Sequence, residues 1–253
     1  MVELIGNNLR KCYDRLVAVD NASFKISAGE ILGIIGPNGA GKSTLIDLIS
    51  GFQRSDSGTV SFAGKDISNA MPDRIARMGF FRTFQRPKHI GELSILQNTL
   101  LAASNKNGES WLLSLNKLFW QENEWKLLSK ATDILEEVGL GKMVNEKGMD
   151  VSFGQLKLLN LAMALNVEAR IIALDEPVAG LSPSMQQQVS ELLLQKKNDY
   201  GFIVVEHNFD FLRQVATRLL LMSHGKIILE GNPEVVLNDP VALDVFLGAE
   251  VVK

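Results

Sequence analysis

A chain of 253 residues, 46% of them hydrophobic and 22% charged, can bury a core large enough for one α/β domain and a smaller subdomain. A formal net charge of -3 excludes a broad basic field, and with it nucleic acid as the main ligand. The single cysteine, Cys12, excludes an intramolecular disulfide; no apolar run approaches the roughly 18 residues of a membrane span, and Met1 to Asn8 has no basic-then-apolar leader pattern, so a reduced, cytoplasmic setting is expected.

Along the chain, Leu4 to Leu9 and Ala22 to Ile26 alternate as strands do, and Glu30 to Ile35 reads as a short buried strand running into glycine-rich sequence. A helix is predicted over Lys42 to Ser50, stopped by Gly51. Ser55 to Gly58 reads as a turn, and Thr59 to Phe62 as the returning strand. From about Pro87 to Gly148 the composition shifts towards Leu, Asn, Lys and Trp. There Leu127, Leu128, Ala131, Ile134, Leu135 and Val138 mark one helical stripe ended by Gly139, which predicts a mostly helical subdomain with an exposed loop at Asn105 to Glu109.

Leu156 to Leu165 is predicted helical, and Ile171 to Leu174 and Phe202 to Val205 are predicted buried strands. The helix between them opens at Ser182-Pro183, with serine as cap and proline as first helical residue. The same device recurs at Asn232-Pro233 and Asp239-Pro240. Gly225 turns a hairpin between Leu219 to Met222 and Lys226 to Leu229. No internal repeat or low-complexity linker is present.

Two patterns carry chemistry. Gly36-Pro37-Asn38-Gly39-Ala40-Gly41-Lys42-Ser43-Thr44 fits G-x-x-x-x-G-K-[ST] between a predicted strand and a predicted helix. Its glycines let backbone N–H groups wrap a phosphate, and the helix opening behind the loop presents its positive end to the anion. Lys42 has the reach for the β- and γ-phosphates, the Ser43 hydroxyl is placed to ligate Mg²⁺, and the Thr44 hydroxyl reaches the α-phosphate. The second pattern is the buried run Ile171 to Leu174 ending in Asp175-Glu176, an acidic pair at the edge of a parallel strand where ligands gather. Asp175 is expected to hold Mg²⁺ through water, and Glu176 to orient the attacking water.

With these two patterns the chain resembles the ATP-binding-cassette (ABC) ATPases over nearly its whole length. Val151-Ser152-Phe153-Gly154-Gln155 is similar to the family signature, Gln85 in Arg82-Thr83-Phe84-Gln85 stands at the Q-loop position, and His207 follows the strand Phe202 to Val205 as the family's switch histidine does. Tyr13 sits where the family stacks an aromatic ring on adenine, and Ala179 to Pro183 occupies the D-loop position. The resemblance implies a P-loop NTPase (RecA-like) α/β core with an N-terminal antiparallel β subdomain over residues 1–86 and 168–253, and an inserted α-helical subdomain with the signature over residues 87–167.

It further implies ATP and Mg²⁺ as ligands, with Gln85 beside the metal and Glu176, His207, Gln85 and Lys42 as catalytic groups. Two cassettes, this chain with itself or with a paralogue, would sandwich ATP so that Ser152, Gly154 and Gln155 of one meet the nucleotide of the other. Transmembrane permease subunits, an indirectly coupled solute-binding protein and a place on the inner face of the cell membrane complete the implied setting. Arg-Thr-Phe-Gln, Ala-Gly-Leu-Ser-Pro, the ending Asn238 to Gly248 and the segment Trp111 to Trp125 look like those of branched-chain amino-acid importer ATPases; urea and amide importers, and soluble cassette switches, are the alternatives. Val151, Phe153, Met163 and Ser182 depart from the family pattern, while Ser152, Gly154 and Gln155 keep it.

Overall fold

The computed structural model describes residues 2–85, 87–103 and 117–250. It divides into two compact units, the first spanning residues 1–82, 169–179 and 193–253, the second residues 83–168 and 180–192. The chain thus leaves the first unit just after Arg82, and Gly180 to Leu192 groups with the second unit, where the resemblance implied a core over residues 1–86 and 168–253.

In the first unit, β1 (Glu3–Tyr13) and β2 (Leu16–Ser27) form an antiparallel hairpin whose turn includes Asp14 at φ 51. Both strands outrun the predicted spans, because their mutual ladder continues beyond the alternating apolar positions to Tyr13↔Leu16. β3 (Ile31–Ile35) is buried at all five positions and leads into α1 (Lys42–Ile49). β4 (Ser57–Phe62) begins inside the predicted Ser55 to Gly58 turn, since Ser57 pairs with Arg10 and Thr59 with Asn7. β5 (Lys65–Asp66), α2 (Pro72–Met78) and β6 (Phe80–Arg82) follow, all too short for a periodic signal.

The second unit is built on α3 (Ile95–Ala102), α4 (Lys117–Glu137) and α5 (Phe153–Asn166), which pack pairwise. Ala131, Ile134, Leu135 and Val138 of the predicted stripe are buried, and Gly139 leaves the helix at φ 77. Asn98 ties the loop before α3 to the helix: its amide donates to the Ile90, Leu93 and Ser94 carbonyls and its oxygen accepts from Ile90 N–H. The predicted loop Asn105 to Glu109 and Trp111 lie outside the described residues.

β7 (Ile171–Asp175), α6 (Pro183–Lys196), β8 (Gly201–Val205), α7 (Phe209–Val215), β9 (Arg218–Ser223), β10 (Lys226–Gly231), α8 (Pro233–Leu237) and α9 (Pro240–Glu250) complete the chain. His224 and Gly225, at φ 48 and 79, turn the β9–β10 hairpin. Two sheets result, ordered β2-β1-β4-β5 and β10-β9-β3-β8-β7-β6. The first is antiparallel; in the second, β9, β3, β8, β7 and β6 are parallel and β10 is an antiparallel edge. One apolar cluster, including Leu4, Ile26, Ile34, Leu45, Phe62, Phe80, Ile203 and Met222, packs elements of both sheets around α1. This is an α/β fold with an antiparallel β subdomain and a helical insertion. Among the described residues, no helix is long and apolar enough to cross a membrane.

Candidate nucleotide-binding and hydrolysis site

Parallel strands place their carboxyl ends together, and β3, β7 and β8 are neighbours in the sheet order β3-β8-β7. The glycine-rich loop, the acidic pair and the histidine each follow one of these strands, so the topology gathers them at one edge.

The loop from Gly36 to Gly41 is shaped by close backbone approaches. A Cβ on Gly36 would lie 2.2 Å from the Met222 carbonyl oxygen, and one on Gly41, at φ 100, would lie 2.2 Å from that of Ala18. Ala40 is buried between them, donating to the Pro37 carbonyl and accepting from Gly225 N–H. Asn38, Gly39 and Ser43 are exposed, and Thr44 is half-buried. Gly41 caps α1 without a side-chain acceptor, and the first turn holds no acidic residue. The N-terminal N–H groups of α1 are thus left without a competing side-chain anion, which suits a phosphate.

Lys42 is buried, and its Nζ donates to the Gly36 and Pro37 carbonyls at 2.6 and 2.9 Å. Burial holds its pKa below the usual lysine value, against the pull of Glu176 and Asp175. Its charge therefore sits inside the loop, near the two carboxylates.

Asp175 ends β7. Burial raises its carboxyl above the ordinary range, opposed by Arg82, whose guanidinium lies 3.5 Å away. Arg82 also pairs with Asp47 on α1 and stands over the Phe52 ring at 5.7 Å. Sequence reading noted Arg82 only as part of Arg-Thr-Phe-Gln; its link between α1 and Asp175 is visible only in three dimensions.

The next residue, Glu176, adopts φ 49, a left-handed conformation costly for a side chain with a Cβ. Its N–H donates to the Val205 carbonyl of β8 at 2.8 Å. This break in strand geometry separates the two adjacent carboxylates and brings Glu176 Oε1 to 3.8 Å from His207 Nε2. Glu206, before the histidine, is 2% exposed and accepts from the backbone N–H groups of Val178, His207 and Asn208 at 2.8, 3.0 and 3.4 Å. Sequence reading passed over it, although an acid directly after the all-apolar run Phe202 to Val205 was the available signal.

Tyr13, at the end of β1, is 41% exposed, with the Lys11 ammonium 5.5 Å from its ring centroid. In the second unit, Ser152 caps α5 in a capping box: its hydroxyl accepts from Gln155 N–H, and the Gln155 side chain accepts from Ser152 N–H at 2.7 Å. Phe153 is exposed, and a Cβ on Gly154 would lie 3.1 Å from Met185 Cε. Gln85 also belongs to this unit.

A buried lysine in a glycine loop, an acid pair split by a strained turn and a facing histidine define a P-loop nucleotide hydrolase on an α/β core. The sequence profile of the family described as ABC transporter matches residues 19–179, and the chain belongs to that family as an ATP-binding subunit that hydrolyses ATP to power transport. It is 37% identical over 244 residues to a probable branched-chain amino acid transport ATP-binding protein LivG of Archaeoglobus fulgidus, covering 96% of this chain and 94% of that one. The LivG of Methanocaldococcus jannaschii, likewise described as probable, is 36% identical with 95% of each covered. Among solved structures, the ADP conformation of MJ1267, an ATP-binding cassette of an ABC transporter, superposes with a TM-score of 0.83 at 33% identity, covering 98% of this chain and 99% of that one.

Proposed function

We propose that this chain is the MgATP-hydrolysing subunit of an importer of branched-chain amino acids, acting on the cytoplasmic face of the membrane. The observation that carries the catalytic part is the approach of His207 Nε2 to Glu176 Oε1, 3.8 Å, at the sheet edge that also holds Lys42 and Asp175. The solute class rests on the relatives named LivG.

In this reading Tyr13 stacks on adenine, and the Gly36 to Gly41 N–H groups cradle the phosphates. Lys42 exchanges its two carbonyl acceptors for β- and γ-phosphate oxygens, and Thr44 reaches the α-phosphate. Glu176 accepts the proton of the attacking water as its oxygen bonds to the γ-phosphorus and the bond to the β-phosphate bridging oxygen breaks. His207 holds Glu176 and the γ-phosphate in line. Ser43 and Asp175 would supply hard oxygen donors that fit Mg²⁺, the family resemblance adds Gln85 to that role, and a bound cation would offset the cost of burying the Asp175 charge. When bound, Mg²⁺ neutralises phosphate charge. Ser152, Gly154 and Gln155 serve the nucleotide of a second cassette, and permease subunits receive the resulting closure and pass solute delivered by a binding protein.

The test pairs two measurements. Size-exclusion chromatography with light scattering on Glu176→Gln is expected to show a mass doubling on adding MgATP. A variant that binds ATP and stays monomeric would mean closure needs a different cassette or the membrane subunits. Uptake of labelled leucine by cells lacking the chain is expected to fall, and unchanged uptake would remove the assigned solute class.

A further inference from the structure

We infer that Glu206 is a positioning residue for hydrolysis: its buried carboxylate fastens the turn carrying Glu176 to the turn carrying His207. The inference rests on the catalytic roles proposed for those two residues and adds the part that sets their separation.

The argument starts from cost. A carboxylate that is 2% exposed is expensive to keep in a folded protein unless its lone pairs are filled. Here they are filled by main-chain donors on two different segments. Val178 N–H reaches one oxygen at 2.8 Å from the segment after β7. His207 and Asn208 N–H groups reach the other oxygen, at 3.0 and 3.4 Å, from the segment after β8. The residues on either side of these contacts are the reacting pair: Glu176 stands two positions before Val178, and His207 is itself a donor.

The rest of the geometry explains why a clamp is needed. Glu176 is held at φ 49, a conformation the chain leaves unless its surroundings fix it. A second cross-link, Glu176 N–H to the Val205 carbonyl at 2.8 Å, runs parallel to the Glu206 contact. Together they bind the β7 turn to the end of β8 on both sides of Pro177. With both in place the side chains of Glu176 and His207 meet at 3.8 Å. A neutral side chain would fill the space but not satisfy donors from both turns. An amide has one acceptor oxygen, and its NH₂ would face an N–H.

The experiment uses the full chain with Glu206→Gln and Glu206→Asp. Steady-state hydrolysis against ATP concentration is expected to show kcat lowered about tenfold in the glutamine variant, with KM and nucleotide affinity within about twofold of wild type. Aspartate keeps the charge for the His207 and Asn208 donors but is a methylene too short for Val178, so it isolates the cross-turn link. It too is expected to lose kcat, and it decides the matter alone if the glutamine variant does not fold. The chain has three histidines, so the His207 ring resonance is assignable by a single His207→Ala spectrum; it is expected to shift in both variants while His89 and His224 stay in place. Wild-type kcat in both variants, a loss shared between kcat and nucleotide affinity, or an unmoved His207 resonance would each overturn the inference. If Glu176→Gln and His207→Ala themselves leave the rate intact, the proposed site assignment fails instead. If those abolish turnover and the Glu206 variants do not, only the clamp fails.

Discussion

His207 Nε2 lies 3.8 Å from Glu176 Oε1, although a helix and a strand separate the two residues in the chain. The distance suits a histidine that orients the carboxylate rather than one that takes its proton outright. Replacing Glu176 by Gln is expected to lower kcat by about 10²-fold or more, the typical contribution of a positioned acid or base, and His207→Ala to act in the same direction. Nucleotide affinity should persist in both, because the phosphate loop is a separate structure. Titration with a fluorescent ATP analogue beside a phosphate-release assay separates the two effects.

Lys42 occupies the loop it serves, donating to Gly36 and Pro37 carbonyls. Lys42→Ala removes those bonds and the cation that meets the phosphates, so ATP affinity should fall about tenfold or more. Gly41→Ala attacks the same loop through the backbone: its Cβ would sit 2.2 Å from the Ala18 carbonyl oxygen at φ 100. Loss of both ATP affinity and thermal stability is expected, and calorimetry with and without nucleotide reads both.

Asp175 is held above the ordinary carboxyl pKa by burial, more than Arg82 holds it down. Its folded form therefore binds protons more tightly than its unfolded form, so its cost to the fold begins above the ordinary carboxyl pKa, grows as pH rises towards the raised folded value and is complete above it. Asp175→Asn is expected to raise the melting temperature of the nucleotide-free protein at neutral pH, by about 2–4 °C for each kcal/mol relieved. The gain should shrink as pH falls into the range where the carboxyl protonates. The same variant should lose Mg²⁺-dependent turnover. A lower melting temperature at neutral pH would mean that its bond to Arg82 outweighs burial.

Ser152 caps α5, and removing the hydroxyl costs about 1 kcal/mol by the usual behaviour of such caps. Ser152→Ala should lower the melting temperature by a few degrees. In a Glu176→Gln background it should also weaken MgATP-driven dimerisation, if the signature segment meets the nucleotide of a second cassette. Ser152→Arg should abolish dimerisation, and an unchanged dimer would argue against the trans assignment. Light scattering on the single and double variants reads this directly.

Much of the site was legible because its chemistry is local in sequence. A glycine loop followed by lysine and a helix, or an acidic pair after an apolar run, is written in adjacent residues. The spacing and flanking elements at Gly36 to Thr44 and Ile171 to Glu176 specify their local form. Caps were partly legible for the same reason: Ser152, Asn208 and Asn232 each accept a backbone N–H at a helix start, though of these only Asn232 was marked as a helix opening. Short elements such as β6 and α2 were not, because three or seven residues carry too little periodicity to register.

What tertiary structure alone decided is which side chains meet. The apolar strands β3, β7 and β8 could be found in the sequence, but their order in the sheet depends on pairing between segments far apart in the chain. That order brings Arg82 to Asp47 and Asp175, and Glu206 to Val178. The left-handed turn at Glu176 likewise owes its stability to the Val205 carbonyl on a neighbouring strand, not to any preference of glutamate. Sequence by itself determined the phosphate loop, the acidic pair and the class of fold, because local spacing and hydrophobic pattern encode them. The distance between Glu176 and His207, and the bonds of the buried Glu206 carboxylate to both of their turns, were decided by long-range packing, which no local pattern contains.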